Sequence, residues 1–302
     1  MSWVILILLI DVAHVYSTLF RTYWNKKNLA RHKTLYLAIP ILCYVISVLL
    51  YTLNDMLFWR ILAYLAVFHF IRQQYGIMRL YTRNEPQGTF RSWLDNMIIY
   101  AATLWPIIYW HCTPGRNFNW FVKGDFLITD AATIKHISAY FYLLIMMSYV
   151  INEGVCFLRF RTINIPKNMV IAGTILTWYF GIVYFNGDLT FTLLNVVSHG
   201  IPYMALIWAF ERMKAGKDKN KTAAKSIVAQ LLFFLTSIIV FAYLEEGMWD
   251  GLVWQEHPDI FGAFTILPIV TNKEILAFVI PLLSLPQTTH YVLDGFIWRK
   301  QQ

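Results

Sequence analysis

Nine apolar stretches of helix-spanning length fill this chain, near residues 2–20, 35–53, 57–79, 93–111, 131–151, 168–186, 190–210, 226–244 and 275–298. An α-helix rises 1.5 Å per residue, so about 20 mostly apolar residues carry it across a hydrocarbon layer about 30 Å thick. Repetition on this scale predicts an all-α, polytopic membrane helix bundle, one transmembrane domain over residues 1–302. Composition agrees. Only 14% of the 302 residues are charged and 58% are hydrophobic, whereas soluble domains carry about 25% charged residues. So few charges cannot clothe a soluble surface, and so much apolar surface excludes disorder. The first stretch lacks a basic leader and a small-residue cleavage site and carries Asp11 and His14, so it reads as a retained helix.

Basic residues supply an orientation. Arg21, Lys26, Lys27, Arg31 and Lys33 follow the first stretch; Arg79, Arg83 and Arg91 follow the third; Arg159, Arg161 and Lys167 follow the fifth. Arg212, Lys214, Lys217, Lys219, Lys221 and Lys225 follow the seventh, and Arg299 and Lys300 the ninth. These are 19 of the 25 Lys and Arg residues, all after odd-numbered stretches. The positive-inside rule then places the N-terminus outside and the C-terminus in the cytoplasm. The net charge of +8 belongs to these flanks, which suit anionic membrane lipids and imply no nucleic-acid partner. The two long outer connections, 112–130 with Phe118, Trp120 and Phe121, and 245–274 with Glu245, Glu246, Asp250, Glu256 and Asp259, read as an interfacial belt. Glu153, beside Asn152 at the end of the fifth stretch, reads as solvated. Cys43, Cys112 and Cys156 form no CxxC pair and suggest neither a disulfide framework nor a thiolate metal site.

Ionisable groups at membrane depth are functional candidates because each costs several kcal/mol unless paired. Of eight histidines, His32, His111, His136 and His257 lie near loops, while His14, His69, His199 and His290 lie inside apolar stretches. Those four stretches are odd-numbered and run in one direction. The histidines fall about 9 to 15 residues into them, a spread of roughly 9 Å at helical rise. Polar neighbours share their faces: Asp11 is three residues before His14, Asn195 four before His199, Asp294 four after His290, and Arg72 and Gln73 follow His69. A metal-binding imidazole needs such neighbours to fix its tautomer. Asp11 and Asp294 are candidate ligands or charge-balancing partners. Arg72, Gln73 and Asn195 are candidate supporting groups, with Arg72 a charge partner for Asp11 or Asp294. Pro202, Pro281 and Pro286 interrupt the backbone ladder close to His199 and His290.

Imidazoles with carboxylates and no thiolate suit a divalent metal, with Fe(II) favoured and Zn(II) the other choice. Iron implies an oxygenase or other oxidoreductase acting on a lipid or another hydrophobic small molecule. Zinc implies intramembrane lipid hydrolysis. HExxH is absent, which disfavours a zincin-type protease. Absence of HxxxH and HxxHH separates the chain from fatty-acid desaturases and hydroxylases, and alkaline ceramidase-like zinc hydrolases remain an alternative. A proton- or metal-ion-coupled transporter is the rival from another class, since ionisable residues and proline-broken helices serve transport as well. A third reading is a structural protein whose polar core fixes helix packing.

In layout the chain resembles the bacterial membrane-embedded beta-carotene dioxygenases that form retinal. The likeness rests on about 300 residues, many membrane helices, and four intramembrane histidines on separate helices. It implies that His14, His69, His199 and His290 hold iron, that the substrate is an isoprenoid polyene, and that the protein lies in a bacterial inner membrane. The chain departs from that family in having no His four residues from His199, and it carries HYVLD at 290–294.

Overall fold

A computed structural model describes residues 2–117, 119–217 and 227–298. Phe118, Lys219, Lys221, Lys225, Arg299 and Lys300 lie outside the described residues, as do the side chains of Lys214 and Lys217. All regular structure among the described residues is helical. A π-helical segment, Val4–Val12, runs into α1 (Ala13–Arg21), followed by α2 (Lys26–Arg31), α3 (Lys33–Leu53), α4 (Asp55–Tyr81) and α5 (Phe90–His111). Next come α6 (Ala132–Phe160) and α7 (Ile165–Trp178), which continues as a π-helix through Tyr184. Short α8 (Asp188–Phe191) passes through a π segment, Thr192–Val196, into α9 (Val197–Lys217). The chain ends with α10 (Ile227–Trp249), α11 (Lys273–Leu283) and α12 (Leu285–Ile297).

Local chemistry sets the helix ends. Asn25, Thr89 and Asn164 each accept a backbone N–H three residues on, and Asn272 accepts those of Glu274 and Ile275, satisfying amides that have no intrahelical acceptor. Arg161, at φ 51°, ends α6 in the left-handed conformation. Ser284 separates α11 from α12, which are bent by 42°. That bend falls between Pro281 and Pro286, where two amide donors are missing.

Among the described residues, each of the nine apolar stretches is helical over most of its length. Five helices meet the length and apolarity needed to cross a membrane: Val4–Arg21, Lys33–Leu53, Ala132–Phe160, Leu189–Met213 and Ile227–Trp254. Counting the bent α11–α12 pair as one span makes six. The remaining stretches are more polar: α4 carries Asp55, Arg60, Arg72 and Arg79, α5 carries Arg91 and Asp95, and α7 carries Lys167. Outward faces are strongly apolar. Leu37, Ile41, Leu42, Val45, Ile46 and Leu49 are exposed on α3, and only 11% of the most apolar window of α6 is buried. A soluble protein does not present such faces to water, so this is a membrane protein.

Close contacts divide the chain into two compact units, residues 1–65 with 200–302, and residues 66–199. The core of the first gathers Leu8, Val12, Tyr203, Ile207, Phe234 and Ile238. Tyr36, Ile39, Leu293 and Ile297 form a smaller cluster there. In the second unit, Met78, Leu94, Ile98, Ile99, Tyr149 and Ile171 pack together.

Three sequence expectations about charge are corrected. Lys167 is fully buried: its Nζ donates to Asp95 Oδ1 at 2.9 Å and to Glu153 Oε1 at 2.8 Å. Glu153 is therefore not solvated. It also accepts from Arg91 Nε at 3.0 Å and from Asn168 Nδ2 at 2.8 Å. This network ties α5, α6 and α7 together in the second unit. Glu245, expected in an outer connection, is buried within α10, which runs on to Trp249.

Candidate metal centre

Each of His14, His69, His199 and His290 is at most 2% exposed. In the first unit, the rings of His14 and His290 lie 5.0 Å apart, edge to face. His14 follows the π-helical segment at once, and its Nδ1 stands 3.3 Å from the carbonyl of Ile10. An Nδ1–H donated there leaves Nε2 with its lone pair. Asp11 is adjacent, its carboxylate 3.8 Å from the same Nδ1, a distance that contributes charge rather than a hydrogen bond. Gly200, which opens the first unit's part of α9, sits against this segment. A Cβ at Gly200 would stand 2.9 Å from Ile10 Cγ2 and 3.2 Å from the Ile10 carbonyl oxygen. Only glycine permits that approach.

His290 lies on α12, after the proline bend. Its Nδ1 is 2.7 Å from Thr18 Oγ1, which is 3.1 Å from the Tyr203 hydroxyl. Asp294 accepts the indole N–H of Trp298 at 2.5 Å. Thr18 and Tyr203 escaped the sequence reading because uncharged hydroxyls do not stand out by charge. Spacing was the available signal: Asp11, His14 and Thr18 fall at i, i+3 and i+7, and His199 and Tyr203 at i and i+4.

In the second unit, His69 Nε2 and His199 Nε2 are 3.2 Å apart. His199 stacks on Phe70 with centroids 3.7 Å apart, and its carbonyl accepts from Gln73 Nε2 at 2.8 Å. Gln73, which the sequence sets on the face of His69, thus holds the backbone of His199. Asn195 lies in the π segment just before α9, and its amide donates to the Phe191 carbonyl at 3.3 Å. Oδ1 of Asn195 and Oε1 of Gln73 are buried with no hydrogen-bond partner among the described residues. Such acceptors cost about 1–3 kcal/mol each if left unsatisfied, so a polar ligand or water beside His199 would be stabilised. Arg72 does not fill its expected role. It is exposed, donates to the Tyr100 hydroxyl at 2.5 Å, and lies over the Tyr75 ring.

The four histidines form one group: each contributes a ring nitrogen, and all four nitrogens lie within 4.8 Å of one another. Neither Asp11 nor Asp294 belongs to it. Metal–imidazole bonds of 2.0–2.1 Å put adjacent ligand nitrogens about 2.9 Å apart in an octahedron and about 3.4 Å apart in a tetrahedron. The His69–His199 separation of 3.2 Å falls between these. Four buried imidazoles whose nitrogens lie this close are a donor set that can hold a metal ion.

No protein-family model, curated protein or solved structure matches this chain.

Proposed function

We propose that this protein is a metal-dependent membrane enzyme, an oxygenase or related oxidoreductase, acting on a lipid or isoprenoid at the four-histidine group. One observation carries the reading: four buried imidazole nitrogens within 4.8 Å, with no thiolate or carboxylate in the group. Imidazole donors suit Fe(II) and Zn(II) alike, and Fe(II) is the choice that the oxygenase reading requires. Fe(II) held by His14, His69, His199 and His290 would supply activation of molecular oxygen. Membership of the beta-carotene dioxygenase type, with an isoprenoid polyene as substrate, belongs to this proposal and rests on layout and ligand type.

The chain's own groups have definite tasks in this reading. The Ile10 carbonyl and Thr18 hydroxyl hold Nδ1 of His14 and His290, leaving each Nε2 as the binding atom. Gln73 anchors the backbone of His199, and Phe70 covers one face of its ring. Asp11, 3.8 Å from His14 Nδ1, would place a carboxylate beside a bound cation without being one of its ligands. The proposed topology is nine crossings with the N-terminus outside, in a bacterial inner membrane, where a hydrophobic substrate arrives through the bilayer. Lys26, Lys27, Arg31 and Lys33 then face anionic headgroups of the cytoplasmic leaflet.

The test is oxygen uptake by iron-loaded protein in liposomes containing either plain phospholipid or added beta-carotene. Uptake that requires the added isoprenoid and is lost in His69→Ala supports the proposal. Divalent-ion flux across the same vesicles without oxygen uptake would overturn it in favour of transport.

A further inference from the structure

Arg72, in the second unit, carries a charge that the metal centre does not use. It is exposed on the outward face of α4, and the surface around it is apolar. Phe68, one turn before it, is 60% exposed, and Leu104, one turn after Tyr100 on α5, is 45% exposed. In a membrane protein such faces meet lipid, and an arginine among them is costly unless its charge is met. The partners that the structure gives Arg72 are neutral. Its Nη1 donates to the Tyr100 hydroxyl at 2.5 Å, and its guanidinium carbon lies 5.0 Å from the centre of the Tyr75 ring. Those two rings stack on each other, with centroids 5.2 Å apart and planes 18° from parallel, and so brace the charge from α4 and α5 together. Among the described residues no carboxylate pairs with Arg72.

The neighbouring surface suits an anion. Arg72, Gly76 and Arg79 fall at i, i+4 and i+7, on one face of α4. Gly76 is exposed, and a Cβ there would meet nothing within 4 Å, so the surface beside Arg72 is open. Arg79 brings a second positive charge about 10 Å along the helix. It donates to the side-chain oxygen of Gln87, a neutral partner that leaves the charge in place. Tyr100 accepts from Arg72 and keeps its own O–H hydrogen for another acceptor. The polar groups gathered here, two guanidinium groups and a phenol, are therefore donors, and the planar guanidinium fork matches phosphate geometry. A lipid-facing surface meets phosphate as phospholipid headgroups, towards which long basic side chains extend, and Phe68 and Leu104 offer apolar contact to acyl chains. We propose that Arg72, Tyr100 and the open surface at Gly76 bind the phosphate of one anionic phospholipid, with Arg79 adding charge. This site depends on the membrane character of the chain and not on the metal reading.

The test is native mass spectrometry of full-length, delipidated protein in detergent, titrated with phosphatidylglycerol or with phosphatidylcholine. The wild type should bind a first phosphatidylglycerol more tightly than phosphatidylcholine. Arg72→Gln should weaken that first step about 10-fold or more, as expected for loss of hydrogen bonds to a charged group. Arg72→Lys keeps the charge without the fork and should recover part of the loss. Gly76→Leu changes no charge and should weaken the step by covering the open surface, with tryptophan emission unchanged to show an intact fold. Lys26→Gln, on another helix, should leave the first step as it is. Equal affinity for the two lipids, or an affinity kept in Arg72→Gln, would overturn the proposal. An equal fall in Lys26→Gln would do so as well, because attraction would then be a general property of the basic flanks. Palmitate that displaces phosphatidylglycerol at equal concentration would replace the phospholipid by a carboxylate ligand.

Discussion

Removing the cation at the centre of the second unit is a demanding test of the packing. Lys167 is fully buried between Asp95 Oδ1 at 2.9 Å and Glu153 Oε1 at 2.8 Å. In Lys167→Met the methylene stem keeps its packing and the ammonium is lost. Glu153 retains Arg91 and Asn168, so its loss is partial. Asp95 is 1% exposed, and its Oδ2 has no hydrogen-bond partner among the described residues, so the variant leaves this carboxylate with no cation on it. Breaking a buried pair from one side costs about 3–5 kcal/mol, and most of that should fall on Asp95. The double variant Lys167→Met with Asp95→Asn removes both charges and should lie within about 1–2 kcal/mol of wild type. Tryptophan fluorescence follows unfolding in detergent, since the chain has 12 Trp. A loss in Lys167→Met below about 1 kcal/mol, or a double variant no better than the single, would refute the claim that this is a charge-compensated buried network.

Two further perturbations probe other parts of the molecule. Burial pushes the Asp125 carboxyl above the usual range although its Oδ2 accepts from the amides of Trp120, Phe121 and Val122. The folded state therefore holds this proton more tightly than the unfolded chain, and its contribution weakens as pH rises from the usual carboxylate range through the raised value. Asp125→Asn should flatten that dependence and stay within about 1 kcal/mol of wild type, while Asp125→Ala should cost about 1–3 kcal/mol, both read by amide exchange at residues 120–122. Gly200→Ala places a Cβ 2.9 Å from Ile10 Cγ2 and 3.2 Å from the Ile10 carbonyl. It should cost about 1–3 kcal/mol and weaken metal binding by displacing His14, measured by thermal unfolding and Zn(II) titration; normal values of both would show that the approach is not needed.

The helices were legible in the sequence because hydrocarbon demands long apolar stretches, and all nine stretches are helical over most of their described residues. The histidines were legible for a related reason. Similar positions along four apolar stretches were the signal, and the four histidine nitrogens lie within 4.8 Å of one another. What the charge pattern missed follows from its nature. Counting signs assigned Lys167 to a flank and Glu153 to water, whereas each lies within reach of an opposite charge on a neighbouring helix. Thr18 and Tyr203 carry no charge; helical spacing sets them on the faces of His14 and His199, but the contacts that join Thr18 to Tyr203 and His290 are tertiary. The π segments before His14 and His199 have no hydrophobic period distinct from that of an α-helix. They lie close before candidate functional histidines, as π-bulges often do.

The most direct test is metal analysis of protein purified from cells, comparing wild type with His69→Ala and His290→Ala. About one divalent ion per wild-type chain, mainly iron, with near-complete loss in both variants is the predicted result. Wild-type protein without stoichiometric metal, or variants that keep it in full, would contradict the four-histidine centre.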